Sequence, residues 1–262
     1  MNVSDVMSKD YLTVGPDDNV VDVGTELDKK NLSGAVVLSD SKILGVVSKE
    51  TFIANLHVLG GDTHMESCLV KDFMEANIIP LKADEDIFAA VDKLQDLPKQ
   101  LDRLPVISEG RLVGVLSKTE LTELYAKDMK GRFKVRDIMH YNPPTVESYD
   151  TLESVIAEVK SSGTKSVLVM EGKNLSGIIT IRDLSLNIFR EKKTCGRVDA
   201  LSMLIAEDVM TRSLITISEK QDSAEAAGLM VEKGIGSLPV VNGELKGIVT
   251  RTDLLKGYKL IK

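Results

Sequence analysis

The sequence lacks tryptophan and is poor in aromatic residues, with five Phe and five Tyr against ten Met, so its core must be aliphatic. Two cysteines, Cys68 and Cys195, exclude a disulfide framework and favour a protein of a reducing compartment. No apolar run approaches the roughly 18 residues of a membrane span, and residues 1–5 lack the features of a signal peptide. We therefore expect a cytoplasmic protein with no membrane partner.

The charge balance is acidic, because 33 Lys and Arg stand against 40 Asp and Glu, a net charge of −7. Such a chain has no overall attraction for nucleic acid or for an anionic membrane. Any anionic ligand must therefore be bound by local positive groups. The 43% of hydrophobic and 28% of charged residues are ordinary globular proportions, which exclude a disordered chain.

Two short segments recur four times along the chain. The first, apolar-x-Asp-x-Met, ends at Met7, Met74, Met139 and Met210, at spacings of 67, 65 and 71 residues. The second, a glycine followed by two apolar residues and Ser or Thr, begins 38, 40, 38 and 37 residues after those methionines, at Gly45, Gly114, Gly177 and Gly247. This spacing predicts four structural repeats, which we place at 1–63, 64–128, 129–199 and 200–262.

Each repeat is predicted to fold in the order strand, helix, strand, strand, helix. A short entry strand follows the Met, as at 214–217, and Asn242-Gly243 predicts a tight turn between the second and third strands. Gly163 and Gly234 occupy positions typical of helix C-caps. In the third repeat an apolar helical stripe is formed by Leu152, Val155, Ile156 and Val159.

A unit of about 60 residues buries little surface by itself, so each repeat should pair with a neighbour. Four repeats then give two modules of two. The polar segment 126–134 lies between the second and third repeats and is the predicted module boundary.

The fourth repeat resembles a CBS (cystathionine-β-synthase) domain in its 207–211, 237–241 and 247–255 segments, and the resemblance covers nearly all of the chain as four tandem copies. It implies an α/β fold of four β-α-β-β-α CBS repeats, paired into two Bateman modules. The modules would form a flat disc, as in the γ subunit of AMP-activated protein kinase. The resemblance also implies a non-catalytic regulatory protein that binds adenosine-containing ligands between paired repeats.

The loop from the third strand into the second helix reads Thr180-Ile181-Arg182-Asp183 in repeat 3 and Thr250-Arg251-Thr252-Asp253 in repeat 4. A Thr followed three residues later by an acid predicts a capping box, which needs no ligand. The same geometry suits a nucleotide, because a helix N-terminus attracts phosphate and a carboxylate can accept ribose hydroxyls. By resemblance, Thr180 and Thr250 would bind the phosphate side and Asp183 and Asp253 the ribose. Arg182, Arg251 and Thr252 are further candidates for the nucleotide.

The first two repeats depart from this pattern. Repeat 1 has Thr51 at the position of the acid, and repeat 2 has Glu120, which is one methylene longer than Asp. Loss of the ribose acceptor would leave buried hydroxyls unpaired. We therefore expect the first module to bind weakly or not at all and the second module to bind ligand.

The resemblance also implies contacts from the partner repeat of each cleft. Asp253 would share a site with Thr145, Lys165 and Ser166, and Asp183 would share one with Thr216 and Ser237. Lys165 lies where some family members place a phosphate-binding basic residue, and Arg103 in repeat 2 could reach across a disc. For Lys165 and Arg103 a solvated surface role is an equal alternative.

Adenine nucleotides such as AMP, ADP or ATP are the leading ligands. S-adenosylmethionine, methylthioadenosine or a dinucleotide are the alternative, favoured by a cleft poor in Arg and Lys. Nucleic-acid binding through the basic stretches 127–136 and 190–197 ranks lower, because the chain is acidic. The scattered histidines and cysteines predict no metal site. The regulated protein is left open, as is a homodimer.

Overall fold

The computed structural model describes residues 1–55, 67–98, 101–187 and 204–261. Helices alternate with short strands throughout these residues, so the expected α/β class is confirmed. The stretch 190–197, with Cys195, lies outside the described residues.

The helices and strands follow the predicted order in repeats 1 to 3, whereas repeat 4 lacks the entry strand. In repeats 1 and 2 they are β1 (Leu12–Val14), α1 (Val20–Lys29), β2 (Gly34–Ser39), β3 (Lys42–Ser48), α2 (Lys49–Ala54), α3 (Val70–Phe73), β4 (Glu75–Ala76), β5 (Leu81–Lys82), α4 (Ile87–Gln95), β6 (Arg103–Ser108), β7 (Arg111–Ser117) and α5 (Lys118–Asp128). In repeats 3 and 4 they are α6 (Val135–Ile138), β8 (Thr145–Glu147), α7 (Leu152–Ser162), β9 (Ser166–Glu171), β10 (Asn174–Thr180), α8 (181–187), α9 (Ala206–Val209), α10 (Ser223–Glu232), β11 (Ser237–Asn242), β12 (Glu244–Thr250) and α11 (Arg251–Lys259).

The sheet of each repeat has the same topology. The entry strands β1, β5 and β8 run parallel to the second strand of their repeat, and the second and third strands form an antiparallel hairpin. The predicted strand at 214–217 is wrong, because only Ile217 forms a bridge, to Val240. The preceding Thr211 is paired with Ile178 of repeat 3, as Ser8 is with Val115 and His140 with Ile248.

Local signals in the sequence are confirmed where they fix backbone geometry. Gly163 caps α7 with φ of 62°, and Gly234 follows α10 with φ of 64°. Gly243, with φ of 77°, makes the tight turn between β11 and β12. Because these values lie in the left-handed region, a side chain at the three positions would be strained. The helical stripe of α7 faces the core through Leu152, Val155 and Val159, while Ile156 is partly buried.

The Asp-x-Met segments do not pack on their own repeats. The amide of Val3 donates to Glu85 O of repeat 2, and the amide of Val70 donates to Asp18 O of repeat 1. The second module repeats this exchange, since Val135 N donates to Gln221 O and Ala206 N to Asp150 O. Each Asp-x-Met segment therefore completes its module partner, which joins repeat 1 to 2 and repeat 3 to 4.

The recurring glycines receive these exchanged segments. A Cβ atom on Gly247 would lie 2.2 Å from His140 O, and one on Gly45 would lie 2.2 Å from Glu75 O. Gly114 and Gly177 are covered in the same way by the methionines of the partner segment, Met7 and Met210. The two sequence landmarks thus meet across each module, which explains why both recur.

Two hydrophobic clusters join the modules. One contains core residues of repeats 1 and 3, including Phe52 and Leu184, and the other contains core residues of repeats 2 and 4. In the second cluster the rings of Tyr125 and Tyr258 meet edge to face, with 5.5 Å between their centroids. Each repeat therefore contacts two others, and the four form a closed ring, the arrangement expected of a disc.

No helix within the described ranges is long and apolar enough to cross a membrane. The same residues contain no group of three or more His, Cys, Asp or Glu arranged to hold a metal ion.

Candidate functional site

The loops 180–183 and 250–253 have nearly identical hydrogen bonds at the starts of α8 and α11. The Thr250 amide and hydroxyl donate to Asp253 Oδ2 at 3.0 and 2.7 Å, and the Asp253 amide donates to Thr250 Oγ1 at 3.3 Å. Thr180 and Asp183 make the same three bonds at 2.8, 2.7 and 3.3 Å. These are reciprocal capping boxes, so each Asp keeps one carboxylate oxygen outside the cap.

The two aspartates differ in what surrounds that second oxygen. Asp253 is buried, and its Oδ1 accepts from Lys256 Nζ at 2.6 Å. Asp183 is only partly buried. A ribose that approached Asp253 would have to share it with Lys256, whereas the loop at Asp183 is more open.

Ser166 and Ser237 bring the two loops of the second module together. Their hydroxyls lie 3.1 Å apart, and both side chains are buried. Ser166 stands opposite Thr180 in the β9–β10 pairing, and Ser237 stands opposite Thr250 in the β11–β12 pairing. The structure therefore aligns four predicted site residues in one row of hydroxyls across repeats 3 and 4.

Three other predicted residues lie at exposed positions. Thr145 is in β8 opposite Leu168, and Thr216 precedes the bridge at Ile217. Arg182 is exposed at the first turn of α8. The contacts of these three residues with a ligand stay predictions.

Lys165 is engaged by the first module. Its Nζ lies 3.0 Å from Glu50 Oε1 of repeat 1 and 3.2 Å from Asp102 Oδ2 of repeat 2. Burial by itself would lower the pKa of Lys165, but the carboxylates of Asp102 and Glu50 raise it above its ordinary value. A fully solvated surface role for Lys165 is wrong, because three repeats meet at its ammonium group.

Arg103 stays within the first module. Its Nε donates to Asp102 Oδ1 at 3.0 Å, and its terminal nitrogens donate to Gly34 O and Ser33 Oγ of repeat 1. Burial would raise the pKa of Asp102, yet the charges of Arg103 and Lys165 hold it well below its usual range. Arg103 is buried and closes the gap between repeats 1 and 2, so neither a reach across the disc nor a solvated role is observed.

A crossed pair of contacts connects the second and fourth repeats. Arg251 Nη1 donates to Thr119 Oγ1 at 2.8 Å, and Lys118 Nζ donates to Thr252 Oγ1 at 3.2 Å. Burial is the main cause that lowers the pKa of Arg251. Burial and the nearby Lys165 charge lower the pKa of Lys118 to about 8, against the opposing pull of carboxylates at Asp102, Glu50 and Asp253.

We call the buried and partly buried charges around these contacts the central cluster, and it draws on all four repeats. Its members are Glu50, Asp102, Arg103, Lys118, Glu120, Lys165, Arg251 and Asp253. Four of these groups are cationic and four anionic, so the formal charges balance within the cluster. Glu50 Oε2 and Arg251 Nε are buried and have no hydrogen-bond partner among the described residues. The orphaned guanidinium donor of Arg251 suits an anionic ligand.

Sequence reasoning missed Glu50, Asp102, Lys118 and Thr119 as members of this centre. The available signal was position: Lys118-Thr119 in repeat 2 occupies the same loop as Arg251-Thr252 in repeat 4. That shared position predicts a contact only once the ring arrangement is known, because the ring brings the two loops together.

The first module contains a cavity of about 140 Å³ between repeats 1 and 2. Its walls include the loop residues Ser117, Thr119 and Glu120, with Tyr11 and Arg103. Glu120 Oε2 accepts from the Ser117 amide and hydroxyl at 2.7 and 2.5 Å, as Asp does in the second module. The expectation of a weak first module stays a prediction, although an open cleft is present there.

Comparison with known proteins identifies the repeats. A family model of the CBS domain matches residues 3–58, 70–127, 135–190 and 206–259. The chain belongs to the CBS domain family. The four matches cover most of the chain, and each includes one Asp-x-Met segment and one glycine landmark.

Uncharacterised proteins of Methanocaldococcus jannaschii and Methanopyrus kandleri are similar to this chain. An uncharacterised protein of Methanocaldococcus jannaschii, MJ1225, is 28% identical over 202 residues, which are 72% of this chain and 69% of that protein. A second protein of that organism, MJ1404, is 27% identical over 97% of this chain and 61% of its own length. The uncharacterised protein MK0525 of Methanopyrus kandleri is 35% identical over 48% of this chain and 60% of its own length.

Solved structures agree with the CBS ring. The crystal structure of MJ1225, proposed as an archaeal homologue of γ-AMPK, covers 98% of this chain and 100% of its own, with a TM-score of 0.86 and 21% identity. An uncharacterised conserved protein of Pyrococcus horikoshii covers the same shares with a TM-score of 0.67 and 19% identity. At these identities the likeness supports the four-repeat CBS fold.

Proposed function

We propose that this CBS protein is a non-catalytic regulator that binds adenine nucleotides such as AMP, ADP or ATP between paired repeats, mainly in the second module. The observation that carries the proposal is the row of hydroxyls Thr180, Ser166, Ser237 and Thr250 beside two capped helix starts. Helix N-termini attract phosphate, and the aspartate at the third position of each helix can accept ribose hydroxyls.

The unpartnered nitrogen of Arg251 favours a ligand that carries phosphate. Arg251 begins α11 within the predicted loop and has a buried nitrogen without a partner in the described chain. Phosphate oxygens would satisfy such a guanidinium by charge-assisted hydrogen bonds. S-adenosylmethionine and methylthioadenosine bring no phosphate, so we rank them below the nucleotides. The γ-AMPK relationship proposed for MJ1225 supports the same order.

Calorimetric titration with AMP and ATP tests the proposal. Asp183→Ala and Asp253→Ala should each weaken one site by about ten- to a hundredfold, because a charged hydrogen-bond acceptor contributes roughly 1.5–3 kcal/mol. Asp137→Ala is the control, since Asp137 also accepts from an N-cap amide, that of Lys134 at 2.7 Å, but belongs to an exchanged Asp-x-Met segment. Unchanged affinity in the Asp183→Ala, Asp253→Ala double variant would contradict the assignment.

The same titration separates the ligand classes. S-adenosylmethionine that binds more tightly than AMP would reverse our ranking. Incubation with ATP and Mg²⁺ should return intact ATP, and turnover that is lost in the double variant would show that the protein is an enzyme. If ATP stays intact, the bound nucleotide would act by changing the conformation of this protein, which in turn regulates a separate protein.

A further inference from the structure

The loops 117–120 and 250–253 are bonded to each other in both directions. The first helical residue of α11, Arg251, reaches Thr119 in the first module, and the first helical residue of α5, Lys118, reaches Thr252 in the second. The four residues are neighbours of Glu120 and Asp253, the acids of the two capping boxes. Any movement of one loop therefore strains the bonds that hold the other.

These contacts are partly protected from solvent. Lys118 and Asp253 are buried, and Arg251 and Thr119 are partly buried, whereas Thr252 is exposed. The surrounding core is the cluster shared by repeats 2 and 4. Tyr125 in α5 bonds Ser223 at 3.0 Å, which adds a buried polar contact between the same two repeats. Hydrogen bonds from charged donors in such surroundings are stronger than those at the surface.

The crossed contacts face both clefts. Thr119, the acceptor of Arg251, lines the cavity of the first module. Thr252, the acceptor of Lys118, immediately precedes Asp253, the predicted ribose acceptor of the second module. A phosphate beside the start of α11 would compete with Thr119 for the Arg251 guanidinium, because an anion is the better acceptor.

We propose that Lys118 and Thr119 are positioning residues for the nucleotide loop of the second module and that they couple its occupation to the cleft of the first module. This inference rests on the proposed function, since it needs a nucleotide in the second module. The coupling is a difference in free energy between two arrangements of the paired loops, and it must act equally in both directions. The first module would then report the state of the second, whether or not it binds a nucleotide itself.

Hydrogen exchange with and without AMP tests the coupling. In the wild-type protein AMP should slow exchange in 244–253 and also in 111–120. Thr119→Val removes the acceptor of Arg251, and Lys118→Met removes the donor to Thr252. Because both residues position the nucleotide loop, each variant should bind AMP more weakly. At saturating AMP each should keep the slowing in 244–253, while the slowing in 111–120 falls by about fivefold or more, the lower bound of typical coupling free energies. Lys127→Met, an exposed lysine on the same helix, is the matched control and should behave as the wild type.

Two further arms make the outcome decisive. Asp183→Ala combined with Asp253→Ala should abolish the response in both segments. A response in 111–120 that survives in this double variant would mean direct binding to the first module and would overturn the coupling. Protection of 244–253 with no change in 111–120, or an equal response in wild type and Thr119→Val, would also overturn it while the proposed function stands. Absence of protection everywhere would overturn both. Thr119→Val changes a single hydroxyl, so it serves if Lys118→Met does not fold.

Discussion

The Lys165 ammonium group lies between the carboxylates of Glu50 and Asp102, which belong to two other repeats. It therefore links three repeats as well as carrying a charge. The desolvation of such a group is offset only while its partners remain in place. Removing the lysine would take away the partner of Glu50 Oε1, and Glu50 Oε2 already has no hydrogen-bond partner among the described residues.

We expect Lys165→Met to lower the free energy of unfolding by about 3 kcal/mol, the low end for a broken buried ion pair, because Lys165 is one-third exposed. Urea denaturation would measure the change. Lys173→Met is the control, since Lys173 is exposed next to the turn between β9 and β10 and should have almost no effect. A loss below about 1 kcal/mol would show that the pair behaves as a surface salt bridge.

Lys118 makes stability depend on pH. Its pKa is lowered to about 8 in the folded protein from the ordinary value of 10.5, chiefly by burial. Between these two values the unfolded chain holds a proton that the native chain has released, so stability should rise with pH. We expect the free energy of unfolding to increase by about 1–2 kcal/mol between about pH 8 and 9.5.

Urea titrations across this pH window, on wild type and Lys118→Met, would measure the effect. The variant has no titrating group at this position, so its stability should be nearly flat over the same window. A wild-type stability that is level or falls would mean that the Lys118 ammonium is better compensated than its surroundings indicate.

At the scale of elements, the glycine that opens each Gly-apolar-apolar segment is a docking point for the partner's exchanged segment. The approach is tightest at Gly247 and at Gly45. At Gly247 the backbone oxygen of His140 lies where a Cβ would be placed. His140 and Ile248 exchange two backbone hydrogen bonds at 2.8 and 2.9 Å beside this contact. A side chain at 247 would force the two apart.

We expect Gly247→Ala to destabilise the protein by about 1–3 kcal/mol, the usual cost of overpacking. Gly228→Ala is the matched control, because Gly228 lies within α10 and no atom would meet its Cβ. That change should raise stability by about 0.5–1 kcal/mol, since Ala is the better helix former. Thermal unfolding of both variants would measure the difference, and equal effects would contradict the docking role.

The elements that could be predicted from the sequence are those fixed by neighbours along the chain. The α7 stripe, the Gly163 cap and the Gly243 turn depend on a few adjacent residues, and all three are confirmed. The strand expected at 214–217 is reduced to a single parallel bridge, from Ile217 to Val240. The capping boxes could be predicted for the same local reason, whereas the partners of Lys165 and Arg251 come from distant repeats.

At the scale of the whole molecule, the modules are not separate folding units. Repeats 1 and 3 share one hydrophobic cluster and repeats 2 and 4 share the other, so both clusters contain residues of both modules. The central cluster adds ion pairs and hydrogen bonds among all four repeats. Pairing of repeats could be argued from their small size, but the ring required contacts that no spacing in the sequence reveals.

A shared core should make unfolding a single cooperative transition, and AMP should raise its midpoint as one. At a free AMP concentration a hundredfold above the dissociation constant, the stabilisation should be about 2.7 kcal/mol. For a chain of this size that corresponds to a rise of roughly 5–10 °C. Scanning calorimetry with and without AMP would measure the number of transitions and the shift of the midpoint. The Asp183→Ala, Asp253→Ala double variant should lose the shift. Two resolved transitions, with AMP moving only one, would mean that the second module unfolds independently and that the two clusters do not bind the modules into one unit.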